Sequence, residues 1–321
     1  MALPPRGTNV RQPVAGHGMA NGPASASDLA LLLASWELAL RAERKSPQTV
    51  KAYGDGVRRF ITWAEGHDRS PDLDRPTVAA FVADLLDAGA EASTARSRQL
   101  AVRRFSRWLE EEGEIDRDQL VGVAPPKLDQ KVYEPLTDAQ LRGLVAACSG
   151  LGPFRDRRDE ALVRFMVETG CRAGEVVVMK LSDLQLAAGT ALVRRGKGGK
   201  GRSVPFGPQT TRALDRYIRA RRTHRLAGTD ALWLGDRGKQ FSYWGLHKAL
   251  GLRARRAGIP GFHPHILRHT AAHRWLAAGG SEGGLMAVAG WTRPDMLARY
   301  TRARASERAA EEARRLNLGE L

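Results

Sequence analysis

The stretch Pro264-His265-Ile266-Leu267-Arg268-His269 continues through Thr270-Ala271-Ala272-His273 to Ala277 with no glycine or further proline, and it reads as a helix from His265 to Ala277. On that helix His265 and Arg268 stand one turn apart, so both side chains can address one anion. Three more elements follow the same logic. Arg172 lies in Glu168-Thr-Gly-Cys-Arg172-Ala-Gly-Glu175, Lys197 lies in a glycine-rich turn, and Trp291 and Tyr300 follow the histidine-arginine stretch. A phosphodiester repels nucleophiles, and its transition state gathers charge on the non-bridging oxygens. Guanidinium groups meet that geometry with paired, permanent charges, and preorganised donors are usually the largest catalytic contribution. Each residue alone is ordinary; the ordered set predicts a tyrosine that breaks a phosphodiester.

Other readings of the same motifs are weaker. His265, His269 and His273 recur at i, i+4 and i+8, with His263 just upstream, which is a possible metal-ligand spacing. Arg268 and Arg274 flank that cluster, and the helix holds no Asp, Glu or Cys. His265 and Arg268 are therefore assigned to a phosphate, and His269 and His273 to structural hydrogen bonds. Gly196-Lys197-Gly198-Gly199-Lys200-Gly201 satisfies G-x-G-x-x-G, but a dinucleotide site needs that motif to open a helix. Arg202-Ser-Val-Pro205-Phe206 continues instead as a strand, and Arg202 stands where a phosphate-loop lysine would follow the last glycine. What remains is a tight hairpin that presents Lys197 and Lys200. Arg172, just after Gly170 at a helix start, points toward an anion favoured there. Glu175, one turn on, either holds that guanidinium or supports the helix.

Composition agrees with a polyanionic partner. The 321 residues carry 51 Lys and Arg against 35 Asp and Glu, a formal net charge of +16, which favours nucleic acid first and an anionic membrane second. No apolar run reaches the roughly 18 residues that a membrane span requires, and no signal-peptide pattern is visible. With only Cys148 and Cys171 a disulfide framework is not plausible, so the chain reads as cytoplasmic.

The length suits two domains. Residues 1–26, rich in Gly, Pro, Ala and Ser, read as a disordered tail, within which Met19 is a second possible start. Four helices then follow in residues 27–122. The first carries Leu29, Leu32, Leu33, Trp36 and Leu40 on one face. Ser46-Pro47 caps and opens the second; the third runs from Thr77 to Leu86 and the fourth from Thr94 to Trp108. The second is basic through Lys51, Arg58 and Arg59, and the fourth through Arg96, Arg98, Arg103, Arg104 and Arg107, whereas the third holds Asp84 and Asp87. Any one of these arginines is equally well a solvated surface residue; as a group they predict DNA contact. The helical pattern breaks from Gly113 to Tyr133 around Pro125-Pro126, with the linker proper at 123–134. Residues 135–304 read as helices at Thr137 to Ala147, Arg157 to Thr169, Ala173 to Met179, Gln209 to Arg222, Tyr243 to Ala257, His265 to Ala277 and Asp295 to Tyr300. Strands are expected at Thr190 to Arg195 and Arg202 to Phe206. Residues 305–321 form a weakly apolar tail helix that needs a partner surface.

The motifs resemble those of the tyrosine recombinases of the phage-integrase type, in particular the simple two-domain Xer-like members. The pattern T-G-x-R-x-x-E, then G-K-G-x-K-x-R-x-V-P, then P-H-x-L-R-H, then Gly with His or Trp and a Tyr nine positions on, appears in order. Thr169 to Glu175, Gly196 to Pro205, Pro264 to His269, Gly290-Trp291 and Tyr300 carry it. The match extends over nearly all of residues 27 to 304. Trp291 stands where most bacterial members have His, and Cys171 where an aliphatic residue is usual.

The resemblance implies a mainly α fold, with a four-helix SAM-like core-binding domain and a mixed catalytic domain bearing a small β-sheet. It implies that Tyr300 attacks the phosphate to give a 3′-phosphotyrosine, that Arg172 and Arg268 clamp the non-bridging oxygens, and that His265 handles protons. Trp291 would add an indole N–H, and Lys197 would protonate the leaving 5′-oxygen. No metal or nucleotide cofactor is needed. The implied partner is double-stranded DNA with inverted-repeat core sites, clamped between the two domains by a homotetramer assembled from free monomers. The tail would dock on a neighbouring protomer. A type IB topoisomerase and a non-catalytic DNA-binding regulator of the same fold are the alternatives.

Overall fold

The computed structural model describes residues 26–128, 134–194, 201–238, 240–293, 297 and 314. The chain divides into two compact units, Met1–Lys131 and Val132–Leu321.

The N-terminal unit consists of α1 (Ala26–Ala42), α2 (Pro47–Gly66), α3 (Arg75–Asp87) and α4 (Ala92–Glu112). Ser46 Oγ accepts the Thr49 N–H at 3.1 Å with Pro47 in the first turn, as its sequence position predicts. Asp74 caps α3 in the same way through the Thr77 N–H, at 2.8 Å. That cap extends α3 two residues beyond the expected start. Trp36, Val57 and Phe105 centre one core cluster, and Phe60, Phe81 and Val102 a second.

The break placed at Gly113 is correct for the end of α4, which stops with Gly113 in the left-handed region at φ +77°. It is wrong as the start of loose chain. Leu120 is fully buried among Phe60 and Phe81. Asp118 accepts from Ser106 Oγ at 2.6 Å and from the Leu120 N–H at 2.9 Å. Arg75 donates to the carbonyls of Gln119 and Val121, and Gln99 to that of Ala124. A glycine marks where a helix ends; it does not report whether the following chain finds a core.

The C-terminal unit contains α5 (Asp138–Ala146), α6 (Pro153–Thr169), α7 (Ala173–Val177), α8 (Pro208–Arg221), α9 (Tyr243–Arg256), α10 (His265–Ala277) and α11 (Glu282–Ala289). Between α7 and α8 lie β1 (Leu184–Gln185), β2 (Thr190–Val193) and β3 (Arg202–Pro205), an antiparallel sheet in the order β1-β2-β3. Val193 pairs with Arg202, so β2 and β3 flank the stretch of sequence that carries Lys197. Two residues are too few for β1 to show any alternation in sequence. Phe165, Tyr217, Trp233, Val204 and Leu267 lie in one core around α6, α8 and the sheet.

α11 went unread because Gly283 and Gly284 each cost about 1 kcal/mol of helix propensity. Ser281 compensates by capping the Gly284 N–H at 3.1 Å, and Leu285 is buried. The small residues admit a large neighbour. A Cβ on Gly284 would lie 3.0 Å from the Trp275 ring, and one on Gly280 only 2.3 Å from its Nε1. Among the described residues no helix is long and apolar enough to cross a membrane.

Candidate active site

α6 ends at Gly170, whose φ of +63° is left-handed and whose missing side chain lets α10 approach through Ala271. The chain then turns through Cys171 into α7, with Arg172 as its cap residue. Glu175 Oε2 accepts the Arg172 backbone N–H at 2.9 Å, and Oε1 accepts Arg172 Nη1 at 3.0 Å. Both roles open to Glu175 in the sequence are therefore realised at once. Arg172 is 27% exposed whereas Glu175 is only 6% exposed, and Arg172 Nε and Nη2 have no partner among the described residues.

Glu175 also receives Arg202 from β3, Nη1 to Oε1 at 3.1 Å and Nη2 to Oε2 at 2.8 Å. Burial favours the protonated Glu175 carboxyl. The hydrogen bonds and charges of Arg202 and Arg172 outweigh that and hold it below the ordinary carboxylate range. Arg202 Nε reaches the Val288 carbonyl at 2.7 Å, and Nη2 lies 3.9 Å from the Cys171 sulfur. Cys171 is fully buried, and burial pushes its thiol above the ordinary range, so it behaves as packing.

Arg268, on the first turn of α10, is 2% exposed. It donates to the Gly170 carbonyl at 2.6 Å and to the Ala289 carbonyl at 2.8 Å. Its guanidinium carbon sits 5.3 Å from the Trp291 ring centroid, a cation–π distance. Trp291 is itself buried among Ala272, Leu276, Leu285 and Leu297. Gly290, before it, has φ +65°, and a Cβ there would meet Arg202 Nη1 at 3.0 Å. Arg172, Arg268 and Trp291 are thus brought together by carbonyls and glycines at the ends of α6 and α11. Sequence reasoning missed Arg202 as the link. Its signal was its place as the arginine of the G-K-G-x-K-x-R-x-V-P pattern, to which no role was given.

His265 is exposed, and its ring meets His269 edge-on at 4.8 Å. Burial, followed by the charges of His265, His263, His273 and Arg268, lowers His269 to about 4. His263 is also lowered, by burial and then His247. Among the described residues no three His, Cys, Asp or Glu side chains form a group able to hold a metal ion. Lys197, Lys200, Tyr300, the expected helix ending at Tyr300, residues 1–25 and, apart from residue 314, the tail 305–321 lie outside the described residues.

The basic residues of the N-terminal unit differ in their surroundings. Arg58 is held by Glu37 at 2.7 Å and Asp55 at 3.0 Å, and Lys51 stands 3.5 Å from Asp55. Arg59, Arg96 and Arg104 are exposed, while Arg98 and Arg103 are half-buried. Arg103 and Arg104 line a groove of about 540 Å³ with Trp36, Tyr53 and Trp108.

Residues 134–307 match the phage integrase family, and residues 33–113 match the phage integrase N-terminal SAM-like domain. The chain belongs to the phage integrase family. It is a tyrosine-type site-specific DNA recombinase. It is 32% identical over 247 residues to the tyrosine recombinase XerD of Bifidobacterium longum, covering 72% of this chain and 79% of that one. To the tyrosine recombinase XerC of Pseudomonas fluorescens it is 31% identical over 245 residues, covering 74% and 79%. The fold is shared with the integrase of transposon Tn1549 in complex with a circular intermediate DNA, at a TM-score of 0.68, 16% identity and coverage of 88% and 99%. A lambda integrase tetramer bound to a Holliday junction gives 0.64, 18% identity and coverage of 83% and 77%.

Proposed function

We propose that this recombinase cleaves DNA by attack of the Tyr300 oxygen on the scissile phosphorus. The Tyr300 O–P bond forms and the P–O5′ bond breaks, leaving a 3′-phosphotyrosine and a free 5′-hydroxyl. The tyrosine proton passes to His265 or water, and Lys197 supplies a proton to the leaving oxygen. A free tyrosine has a pKa near 10, so its activation at neutral pH depends on the positive field around it. The observation that carries this reading is the pair of guanidiniums, Arg172 and Arg202, on a single carboxylate, Glu175, with Arg268 held on the nearby Gly170 carbonyl. That surplus suits a phosphate, with Arg172 as the accessible donor and Arg268 as a fixed charge braced by Trp291.

The substrate in this reading is a duplex with inverted-repeat core sites, bound by a homotetramer of chains that are monomeric when free. The tetrameric lambda integrase complex supports the assembly. Residues 27–122 are the core-binding domain, with Lys51, Arg58, Arg59, Arg96, Arg98, Arg103, Arg104 and Lys200 as DNA contacts. Residues 123–134 are the linker, residues 135–304 the catalytic domain, and 305–321 a tail that docks on a neighbouring protomer. The reaction takes place in the cytoplasm with no cofactor.

The test uses a labelled nicked duplex. The intact protein should form a covalent adduct and exchange strands between two sites. Tyr300→Phe should bind the duplex with unchanged affinity and form no adduct. Adduct formation by Tyr300→Phe would overturn the assignment, and relaxation without strand exchange would favour the topoisomerase reading.

A further inference from the structure

Arg202 is the one guanidinium of the site cluster that no step of the proposed reaction uses. It is 11% exposed, and all three of its nitrogens have acceptors: Val288 O, both oxygens of Glu175 and the Cys171 sulfur. A group so enclosed is not poised to receive a phosphate. Its neighbours explain what it does instead. Each oxygen of Glu175 is shared, Oε1 between Arg172 Nη1 and Arg202 Nη1, and Oε2 between the Arg172 N–H and Arg202 Nη2. A buried carboxylate with one guanidinium at hand pairs with it completely, because the attraction is strong where water is excluded. With a second, forked guanidinium already matched to both oxygens, the first keeps its charge available.

From this geometry we infer that Arg202 is a positioning residue that neutralises Glu175, so that Arg172 can serve the phosphate. This rests on the reading of Arg172 as a phosphate donor. The same side chain holds the end of α11, just before Trp291. Its Nε holds the Val288 carbonyl, next to the Ala289 carbonyl that Arg268 holds, and its guanidinium lies against Gly290. Arg202 therefore ties β3, Glu175 and the end of α11 into one frame. A lysine in its place keeps the charge but cannot form the two-on-two pairing.

The two roles separate in a rescue experiment on the full-length protein, read as single-turnover adduct formation on a nicked duplex with DNA affinity measured alongside. Arg202→Met should slow adduct formation at least tenfold, with affinity within threefold, because Glu175 then captures Arg172. Adding Glu175→Gln removes the capturing charge, so the double variant should be at least threefold faster than Arg202→Met alone. A merely structural Arg202 predicts the reverse, since a second lesion in one network only adds damage. If Arg202→Met melts below the assay temperature, Arg202→Lys takes its place. It should retain an intermediate rate, and adding Glu175→Gln should bring no gain. Arg202→Met within threefold of the parent, absence of rescue in the Met background, or rescue in the Lys background would overturn the inference. Arg172→Ala at the parental rate would instead overturn the clamp on which it rests, and the two failures are read from different variants.

Discussion

Two arginine networks lie in the C-terminal unit, and they are built to opposite ends. In the first, Arg158 donates to Asp159, to Asp236 and to the Leu234 carbonyl. Arg253 donates to Asp159 at 2.8 Å, to Asp156 at 2.7 Å and to the carbonyls of Ala147 and Ser149. Arg155 completes the set on Asp236 at 2.9 Å. Three guanidiniums face three carboxylates, and Arg158, Arg253 and Asp159 are almost wholly buried. In the second, Arg172 and Arg202 share Glu175 alone, Arg268 is held by the carbonyls of Gly170 and Ala289, and Arg172 is partly exposed. A buried charge must be matched to be tolerated. The first network matches itself and therefore holds α6, α9 and their loops together. In the second, two guanidiniums share one carboxylate, and in the proposed reaction the surplus on Arg172 is taken up by the phosphate.

The largest effect that would sharpen this contrast is on stability. Asp159 bridges Arg158 and Arg253, so Asp159→Ala leaves two guanidiniums short of a partner in a dry interior. It should cost about 3–5 kcal/mol in a urea unfolding curve, while the protein that remains folded cleaves normally. A loss under 1 kcal/mol would show that the network is not structural. Next comes Arg268→Lys, which loses one of the two carbonyl bonds and the flat contact with Trp291. Adduct formation should fall by about a hundredfold or more, the cost of one preorganised donor being about 2.7–4 kcal/mol. Full activity in that variant would break the comparison from the other side.

The smallest effect is a pH dependence. The His269 ring is lowered to about 4 from an ordinary 6.5. Below pH 6.5 the unfolded chain therefore takes up a proton that the folded chain refuses, and stability declines between about 6.5 and 4. His269→Gln should flatten that part of the profile, with a residual slope from His263, which is lowered in the same direction. An unchanged slope in His269→Gln would place the pH dependence elsewhere.

The difference between the networks also marks what a sequence can show. Ser46-Pro47, the apolar face through Trp36 and Leu40, and the helix at His265 rest on local period and capping, and the structure contains all of them. Arg172 and Arg268 were legible because each sits in a short motif of its own. Arg202 also stands in a motif, but its role was not legible, since its partners Glu175 and Val288 lie 27 and 86 residues away. The same holds for Arg253 with Asp159, 94 residues apart. α11 was hidden by its glycines, of which Gly284 packs against the Trp275 ring. Leu120 was hidden inside a segment whose glycine and prolines read as linker.

One paired measurement tests the account most directly: melting temperature and single-turnover adduct rate, taken together, for Arg172→Ala and Arg253→Met. Arg172→Ala should melt within about 2 °C of the parent, as a partly exposed ion pair contributes about 1 kcal/mol or less, and should lose at least about a hundredfold in rate. Arg253→Met should melt far earlier and, assayed well below its melting point, cleave within about threefold of the parent. If Arg172→Ala loses its stability and keeps its rate, or Arg253→Met loses its rate while folded, the division between a closed structural network and an open phosphate site is wrong.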